Sequence, residues 1–141
     1  MQNRLELKNI HVSVAGTEVV RGVSLRIPEG RVVALMGPNG SGKSSLVNAI
    51  MGHPRYTITE GRILLNDEDI THLPVHEKAR KGIFLSLQQP PTLPGVSVSS
   101  FLRNALSSLT GKAVPVLEFQ KQLEEEMAHL GMENGMALRH V

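Results

Sequence analysis

The sequence predicts an α/β fold, and three observations support this prediction. Two unbroken apolar runs, at residues 32–36 and 83–87, are typical of strands covered on both faces. A glycine-rich loop follows the first run directly, and a segment with helical spacing follows the loop. Ahead of the first run, apolar residues alternate with polar ones, which predicts antiparallel strands with one wet face.

The N-terminal alternation covers two segments. It runs over residues 5–14, with a change of phase near Asn9, and again over residues 23–27. The turn signal Pro-Glu-Gly at 28–30 ends the second segment. We therefore expect an antiparallel pair of strands before the glycine-rich loop.

Between the two apolar runs we predict a helix, a strand and a second, short helix. The helix covers residues 44–51 and ends at Gly52. The strand covers residues 61–66 and closes on an Asn-Asp turn, and the short helix covers residues 74–80.

The C-terminal part of the chain predicts two amphipathic helices. The first covers residues 98–109 with Ser97 as its N-cap, and the second covers residues 116–130 and ends at Gly131. The apolar stripe of the first helix is expected to pack into the core through Phe101, Leu102 and Leu106. The glutamate run at 124–126 is expected to lie on a solvated face.

Residues 37–44 read Gly-Pro-Asn-Gly-Ser-Gly-Lys-Ser, the pattern of a phosphate-binding P-loop. The glycines let successive backbone N–H groups turn toward one anion, and the following helix adds its N-terminal amides. Lys43 supplies a mobile positive charge for the β- and γ-phosphates, and the Ser44 hydroxyl can ligate Mg²⁺. The alternative is a connector that only turns the chain. A random chain of this length matches the pattern on the order of once in a few hundred tries, and here the flanking strand and helix are also predicted.

The sequence of this loop, together with the antiparallel pair of strands predicted before it, resembles that of an ABC-type ATPase. This resemblance implies an incomplete P-loop nucleotide-binding domain with ATP and Mg²⁺ as ligands. The implied domain comprises an antiparallel β subdomain at 1–30, a core with a glutamine loop at 31–96 and a helical segment at 97–141. In that family a glutamine after a core strand senses Mg²⁺ and the γ-phosphate, which implies Gln88 here, with Gln89 as the alternative. The implied nucleotide-binding residues are Gly37, Pro38, Asn39, Gly40, Ser41, Gly42, Lys43, Ser44, Ser45 and Gln88, of which Ser44 and Gln88 would ligate Mg²⁺.

Within the family, the sequence resembles the SufC branch, the ATPase subunit of the Suf iron–sulfur cluster assembly system. The resemblance rests on residues 51–56, the predicted strand that opens at Gly61, and residues 78–85, 88–90 and 93–96. The resemblance covers nearly the whole chain, apart from a less distinctive stretch after about Gly111. It implies ATP hydrolysis that drives cluster assembly, Suf-type scaffold proteins as partners, and a head-to-tail dimer of the intact ATPase. Residues 90–96 would contact the partner.

Two features depart from the family pattern. No aromatic residue precedes Met51, and Val14 or a neighbour takes the position that stacks on adenine in many members, so apolar packing of the base is expected. The chain also reaches Val141 without the signature motif, the switch histidine, or an apolar stretch that ends in an acidic pair. No catalytic residue is therefore assigned, and we expect an N-terminal piece of a longer ATPase that is inactive alone.

Two alternative functions remain open from the sequence. One is the nucleotide-binding subunit of an ABC membrane transporter. The other, from a different class, is a truncated, non-catalytic ATP-binding module.

Composition excludes several other classes of function. The net charge is +2 and the basic residues lack an aromatic platform, so nucleic-acid binding is not expected. There are no cysteines, which excludes disulfides and metal sites built on this chain's thiolates. His72 and His76 are four residues apart with Pro74 between them, and a metal site there is not expected. No apolar run approaches the roughly 20 residues that span a bilayer, so we expect a soluble, cytoplasmic protein without membrane insertion.

Overall fold

The computed structural model of the chain describes residues 4–87 and 92–139. The chain divides into two compact units, Met1–Leu85 and Ser86–Val141.

The first unit contains a four-stranded antiparallel sheet. Its strands are β1 (Arg4–Val14), β2 (Thr17–Pro28), β3 (Thr57–Leu65) and β4 (Glu68–Asp69), in the spatial order β2-β1-β3-β4. The predicted antiparallel pair is thus β1 with β2. The predicted strand before the Asn-Asp turn is β3, and both turn residues have positive φ angles, 53° at Asn66 and 68° at Asp67.

The change of phase at Asn9 is a bulge in β1. Asn9 has a φ of 50°, and the pairing of β1 with β2 slips between Leu7 and Ile10. On the other side, a Cβ at Gly61 would lie 2.2 Å from the Asn9 carbonyl oxygen, so only glycine lets β3 pass the bulge. The extra residue keeps the apolar side chains before and after it on the buried face.

Two helices complete the first unit, α1 (Lys43–Met51) and α2 (Val75–Arg80). The first is the predicted helix, and Gly52 ends it in the left-handed conformation with a φ of 89°. It packs across β1, β2 and β3. The core between helix and sheet consists of Leu7, Ile10, Val12, Val20, Leu46, Ala49, Ile63 and Ile70.

The second unit contains α3 (Val98–Thr110), α4 (Val116–His129) and a 3-10 helix (Asn134–Leu138). Ser97 is the N-cap of α3, as predicted, and its hydroxyl accepts from the Ser100 amide at 3.2 Å. The buried residues of α4 are Phe119 and Met127, whereas the glutamates at 124–126 are exposed as expected.

The prediction of buried strands at 32–36 and 83–87 is wrong. Residues 31–38 and 83–87 form neither strand nor helix, and Val32, Met36 and Phe84 are 99%, 87% and 86% exposed. A strand exists only when a neighbour shares its hydrogen bonds. Within residues 4–87 and 92–139 no strand pairs with either run, and every described strand pair is antiparallel.

The core assignment in α3 is also wrong. Phe101 and Leu102 are exposed and Leu106 is only half-buried. No residue of α3 is buried, because α4 and the 3-10 helix cover little of its apolar stripe within the second unit.

Candidate nucleotide-binding loop

The predicted P-loop leads directly into the first turn of α1. Gly40 and Gly42 have φ angles of 80° and 89°, and Gly42 is the N-cap of α1. Among the residues that the structure describes, no side chain caps this helix, so its first-turn amides are open to another acceptor. Backbone donors and the positive end of the helix dipole thus meet at Lys43.

Two of the loop glycines are required for close packing. A Cβ at Gly42 would lie 2.6 Å from the Val19 carbonyl oxygen, so this glycine seats the loop on the backbone of β2. A Cβ at Gly37 would lie 3.0 Å from the Ser41 Oγ atom, across the bend of the loop. At Gly40, by contrast, a Cβ would meet no atom within 4 Å. The loop is therefore closed on the sheet side and open at Gly40.

Lys43 lies folded into the bend of the loop. Its Nζ atom donates to the carbonyl oxygens of Gly37 and Pro38 at 2.8 and 2.7 Å, and to the Ser41 Oγ at 3.3 Å. The ammonium group is thus held on loop carbonyls beside the first turn of α1. This arrangement can bind a polyphosphate, because it combines a point charge with many N–H donors.

Ser44 and Ser45 occupy the first turn of α1. The Ser44 side chain is exposed and Ser45 is half-buried. Mg²⁺ usually takes one or two protein oxygens and completes its octahedron with water and phosphate, so the exposed hydroxyl of Ser44 fits this ion. Gln88 and its alternative Gln89 lie outside the described residues.

A cavity of about 260 Å³ lies beside the loop, within the first unit. Its walls combine apolar side chains of β2, α1 and the 32–36 run with polar groups of the loop. The lining residues are Val20, Val23, Leu35, Met36, Gly37, Pro38, Ser41, Gly42, Lys43 and Leu46. Val14, the predicted adenine-packing position, is half-buried at the last residue of β1.

Sequence reasoning missed one polar residue close to α1. Lys78, in α2, is fully buried and donates to the carbonyl oxygen of Ile50 near the end of α1. The spacing of α2 gives no signal for this, because a lysine in a short helix is usually exposed.

His72 and His76 are both exposed. Among residues 4–87 and 92–139, no group of three His, Cys, Asp or Glu residues is placed to hold a metal ion. None of the described helices has the length and apolar character needed to cross a bilayer.

Comparison with known proteins identifies the family. The family model described as ABC transporter matches residues 20–141. A probable ABC transporter ATP-binding protein of Streptococcus pyogenes serotype M3 is 46% identical over an alignment 141 positions long, which covers 97% of this chain and 54% of that protein. The chain therefore spans about half the length of the relatives it matches.

Solved structures show the same relationship. A nucleotide-free ATP-binding cassette from an ABC transporter is 29% identical and superposes with a TM-score of 0.70, over 99% of this chain and 60% of that one. An ATP-binding cassette solved in its ADP conformation is 30% identical with a TM-score of 0.69, over 99% of this chain and 59% of that one. The chain belongs to the ABC transporter family and forms part of its ATP-binding domain.

Proposed function

We propose that this chain binds Mg-ATP through residues 37–45, with Gln88 as a further contact to Mg²⁺ and the γ-phosphate. The observation that carries the proposal is the position of Lys43. Its ammonium is held on two loop carbonyls at the uncapped N-terminus of α1.

Each part of the loop has a separate role in this proposal. The amides of the loop and of the first turn of α1 bind the phosphate oxygens, and Lys43 neutralises the β- and γ-phosphates. Within the described part of the loop, the Ser44 hydroxyl is the proposed Mg²⁺ ligand. Bound Mg²⁺ would reduce the repulsion between neighbouring phosphates. The relative solved in its ADP conformation supports nucleotide binding at this fold.

For the intact protein we propose ATP hydrolysis that drives iron–sulfur cluster assembly in the cytoplasm. Its partners would be Suf-type scaffold proteins, and its active form a head-to-tail dimer. The support is the resemblance of residues 78–85, 88–90 and 93–96 to the SufC branch.

A second candidate for the intact protein is the ATPase subunit of a membrane transporter. The names of its relatives favour this candidate, because they describe ABC transporter ATP-binding proteins and ATP-dependent transporters. Affinity purification of the full-length protein separates the two. Recovery with soluble scaffold proteins supports cluster assembly, whereas recovery only with membrane subunits supports transport.

We further propose that the 141-residue chain binds ATP without turning it over. The sequence has no apolar stretch that ends in an acidic pair, so it offers no carboxylate to activate water. Steady-state phosphate release by the purified chain above the background of the Lys43→Ala variant would contradict this.

Lys43→Ala tests the nucleotide site. Removing the ammonium should weaken Mg-ATP binding by at least about a hundredfold, because a charge-assisted contact to two phosphates is lost. Isothermal titration of the purified chain measures the affinity, and circular dichroism checks the fold.

The matched control is Lys112→Ala, an exposed lysine in the second unit beyond the end of α3. It removes the same charge and should leave the affinity unchanged. Equal affinities for wild type and Lys43→Ala would overturn the P-loop assignment.

A further inference from the structure

Lys78 is a buried lysine that the nucleotide site does not use. Its side chain is 0% exposed, although it lies in the short helix α2. Burial lowers the pKa of its ammonium below the ordinary value, and among the described residues no carboxylate pairs with it. Burying an amine costs free energy unless its N–H donors are hydrogen-bonded, so the hydrogen-bond partners of Lys78 indicate its role.

The first partner of Lys78 is the end of the P-loop helix. Its Nζ donates to the Ile50 carbonyl oxygen at 2.9 Å, in the last turn of α1. Carbonyls in that turn lack intrahelical partners, and a cation there also meets the negative end of the helix dipole. Lys78 therefore holds α1 at the end opposite to Lys43.

The second partner is Thr71, which is anchored to the sheet. The Lys78 Nζ donates to the Thr71 carbonyl oxygen at 3.2 Å. The Thr71 hydroxyl accepts from the Ile63 amide of β3 at 2.8 Å and donates to Asp69 Oδ1 at 2.5 Å. The amine is therefore fixed against the sheet as well as against α1.

The backbone of Lys78 also fixes the segment that follows α2. Its carbonyl oxygen accepts from the amides of Lys81 and Ile83, both at 3.1 Å. Gly82, with a φ of 90°, makes the turn between them. One residue thus binds the end of α1 through its side chain and the start of the segment at Ile83 through its backbone.

We propose that Lys78 is a positioning residue that couples α1 to the segment beginning at Ile83. Nucleotide bound at the N-terminus of α1 restrains the helix, and Lys78 passes that restraint from Ile50 to Ile83. In sequence, that segment runs on toward Gln88, the proposed γ-phosphate contact. This inference rests on the nucleotide site proposed above.

The test is amide hydrogen exchange of the 141-residue chain with and without Mg-ATP, in wild type, Lys78→Met and Lys81→Met. Methionine is an unbranched side chain one atom shorter than lysine, so it fills most of the same space and removes the donors. Lys81 is the matched control, because it is a neighbouring lysine whose Nζ lies 2.6 Å from an exposed carboxylate oxygen of Glu68.

In wild type and in Lys81→Met, Mg-ATP should slow exchange of the Ile83 amide by at least about fivefold. In Lys78→Met the nucleotide should still bind, but exchange at Ile83 should no longer respond to it. A residue with a merely structural role would instead raise exchange across the whole unit and leave the response to nucleotide in place.

Two results would overturn the coupling while the nucleotide site stands. One is a nucleotide response at Ile83 in Lys78→Met equal to that of wild type. The other is wild type that binds Mg-ATP without any change at Ile83, and this second result decides the matter even if Lys78→Met does not fold. Wild type that binds no Mg-ATP would overturn the nucleotide site itself, and the coupling with it.

Discussion

Thr71 shows how one buried polar residue can join several parts of the first unit. It is 6% exposed, and each of its polar groups is used: the hydroxyl toward β3 and Asp69, the amide toward Asp69, and the carbonyl toward Lys78. A buried hydroxyl without partners would cost about 1–3 kcal/mol, so the position depends on its neighbours. Asp69 is the neighbour that a substitution can remove most cleanly.

Asp69→Ala should lower the free energy of unfolding by about 1–3 kcal/mol at neutral pH, because the Thr71 hydroxyl and amide lose their acceptor. Asp69→Asn keeps an oxygen acceptor and should cost less than about 1 kcal/mol. Urea denaturation of the three proteins measures the difference. Equal losses for alanine and asparagine would show that the acceptor is not what matters.

The stabilisation that Asp69 provides depends on pH in a defined way. Hydrogen bonds from the Thr71 side chain and backbone lower the pKa of Asp69 below the ordinary value of 3.8. A lowered folded pKa means that the stabilisation is complete above 3.8 and disappears as the pH falls through the folded value. The stability difference between wild type and Asp69→Ala should therefore narrow only in strong acid.

The loop at 37–42 and the helix that follows it could be predicted from sequence, whereas the burial of Lys78 could not. Gly40, Gly42 and Lys43 follow a local pattern whose chemistry depends on the backbone of the same few residues. The burial of Lys78 instead depends on a carbonyl 28 residues away in sequence, and no spacing within α2 reports that contact. Local chemistry is visible in sequence, and long-range hydrogen bonds are not.

At the scale of elements, the P-loop is seated on β2 through Gly42. Gly42→Ala would need a left-handed alanine and would place its Cβ 2.6 Å from the Val19 carbonyl oxygen. We expect a loss of about 3 kcal/mol in stability from strain and overpacking together.

Gly40→Ala is the control. Gly40 also has a positive φ, but a Cβ there would meet nothing within 4 Å, so this substitution should cost about 1–2 kcal/mol. Thermal or urea unfolding of both variants checks the order, and equal costs would show that the contact with β2 is unimportant.

Most elements could be predicted, and the two that failed share a cause. The bulge in β1, the ends of α1 and the N-cap of α3 follow from residues inside or next to each element. The runs at 32–36 and 83–87 have strand-like composition, but a strand depends on a partner supplied from elsewhere. Composition alone cannot say whether that partner is present.

For the molecule as a whole, these two runs leave large apolar side chains in solvent. The run at 32–36 exposes four large apolar side chains, with Val32 and Met36 at 99% and 87%, and Phe84 is 86% exposed in the other run. Groups of exposed apolar side chains favour association. We expect the isolated chain to self-associate, and the double variant Val32→Thr, Phe84→Ser to do so less, with no loss in melting temperature. Sedimentation velocity measures the association, and the Lys112→Ala chain serves as a control with unchanged apolar surface. If the double variant associated as strongly as wild type, the residues responsible for self-association would lie elsewhere in the chain.

The division into two compact units differs in kind from the boundaries that were expected from the sequence. The family resemblance implies boundaries near residues 30 and 96, and these remain proposals about the intact domain. In the structure the antiparallel sheet and α1 share one hydrophobic core, and α2 is joined to the same unit through the hydrogen bonds of Lys78. Which segments share a core depends on contacts between distant residues, and turn signals do not encode it.

The three bonds of Lys43 have a consequence for how a ligand is received. Two of its donors hold loop carbonyls at short distance, and the third makes a longer contact to Ser41. These contacts already hold the side chain in the bend of the loop, so part of its side-chain entropy of about 1.5–2 kcal/mol is lost on folding rather than on ligand binding. The loop is therefore preorganised, and a polyphosphate would bind to a site that already has the required shape.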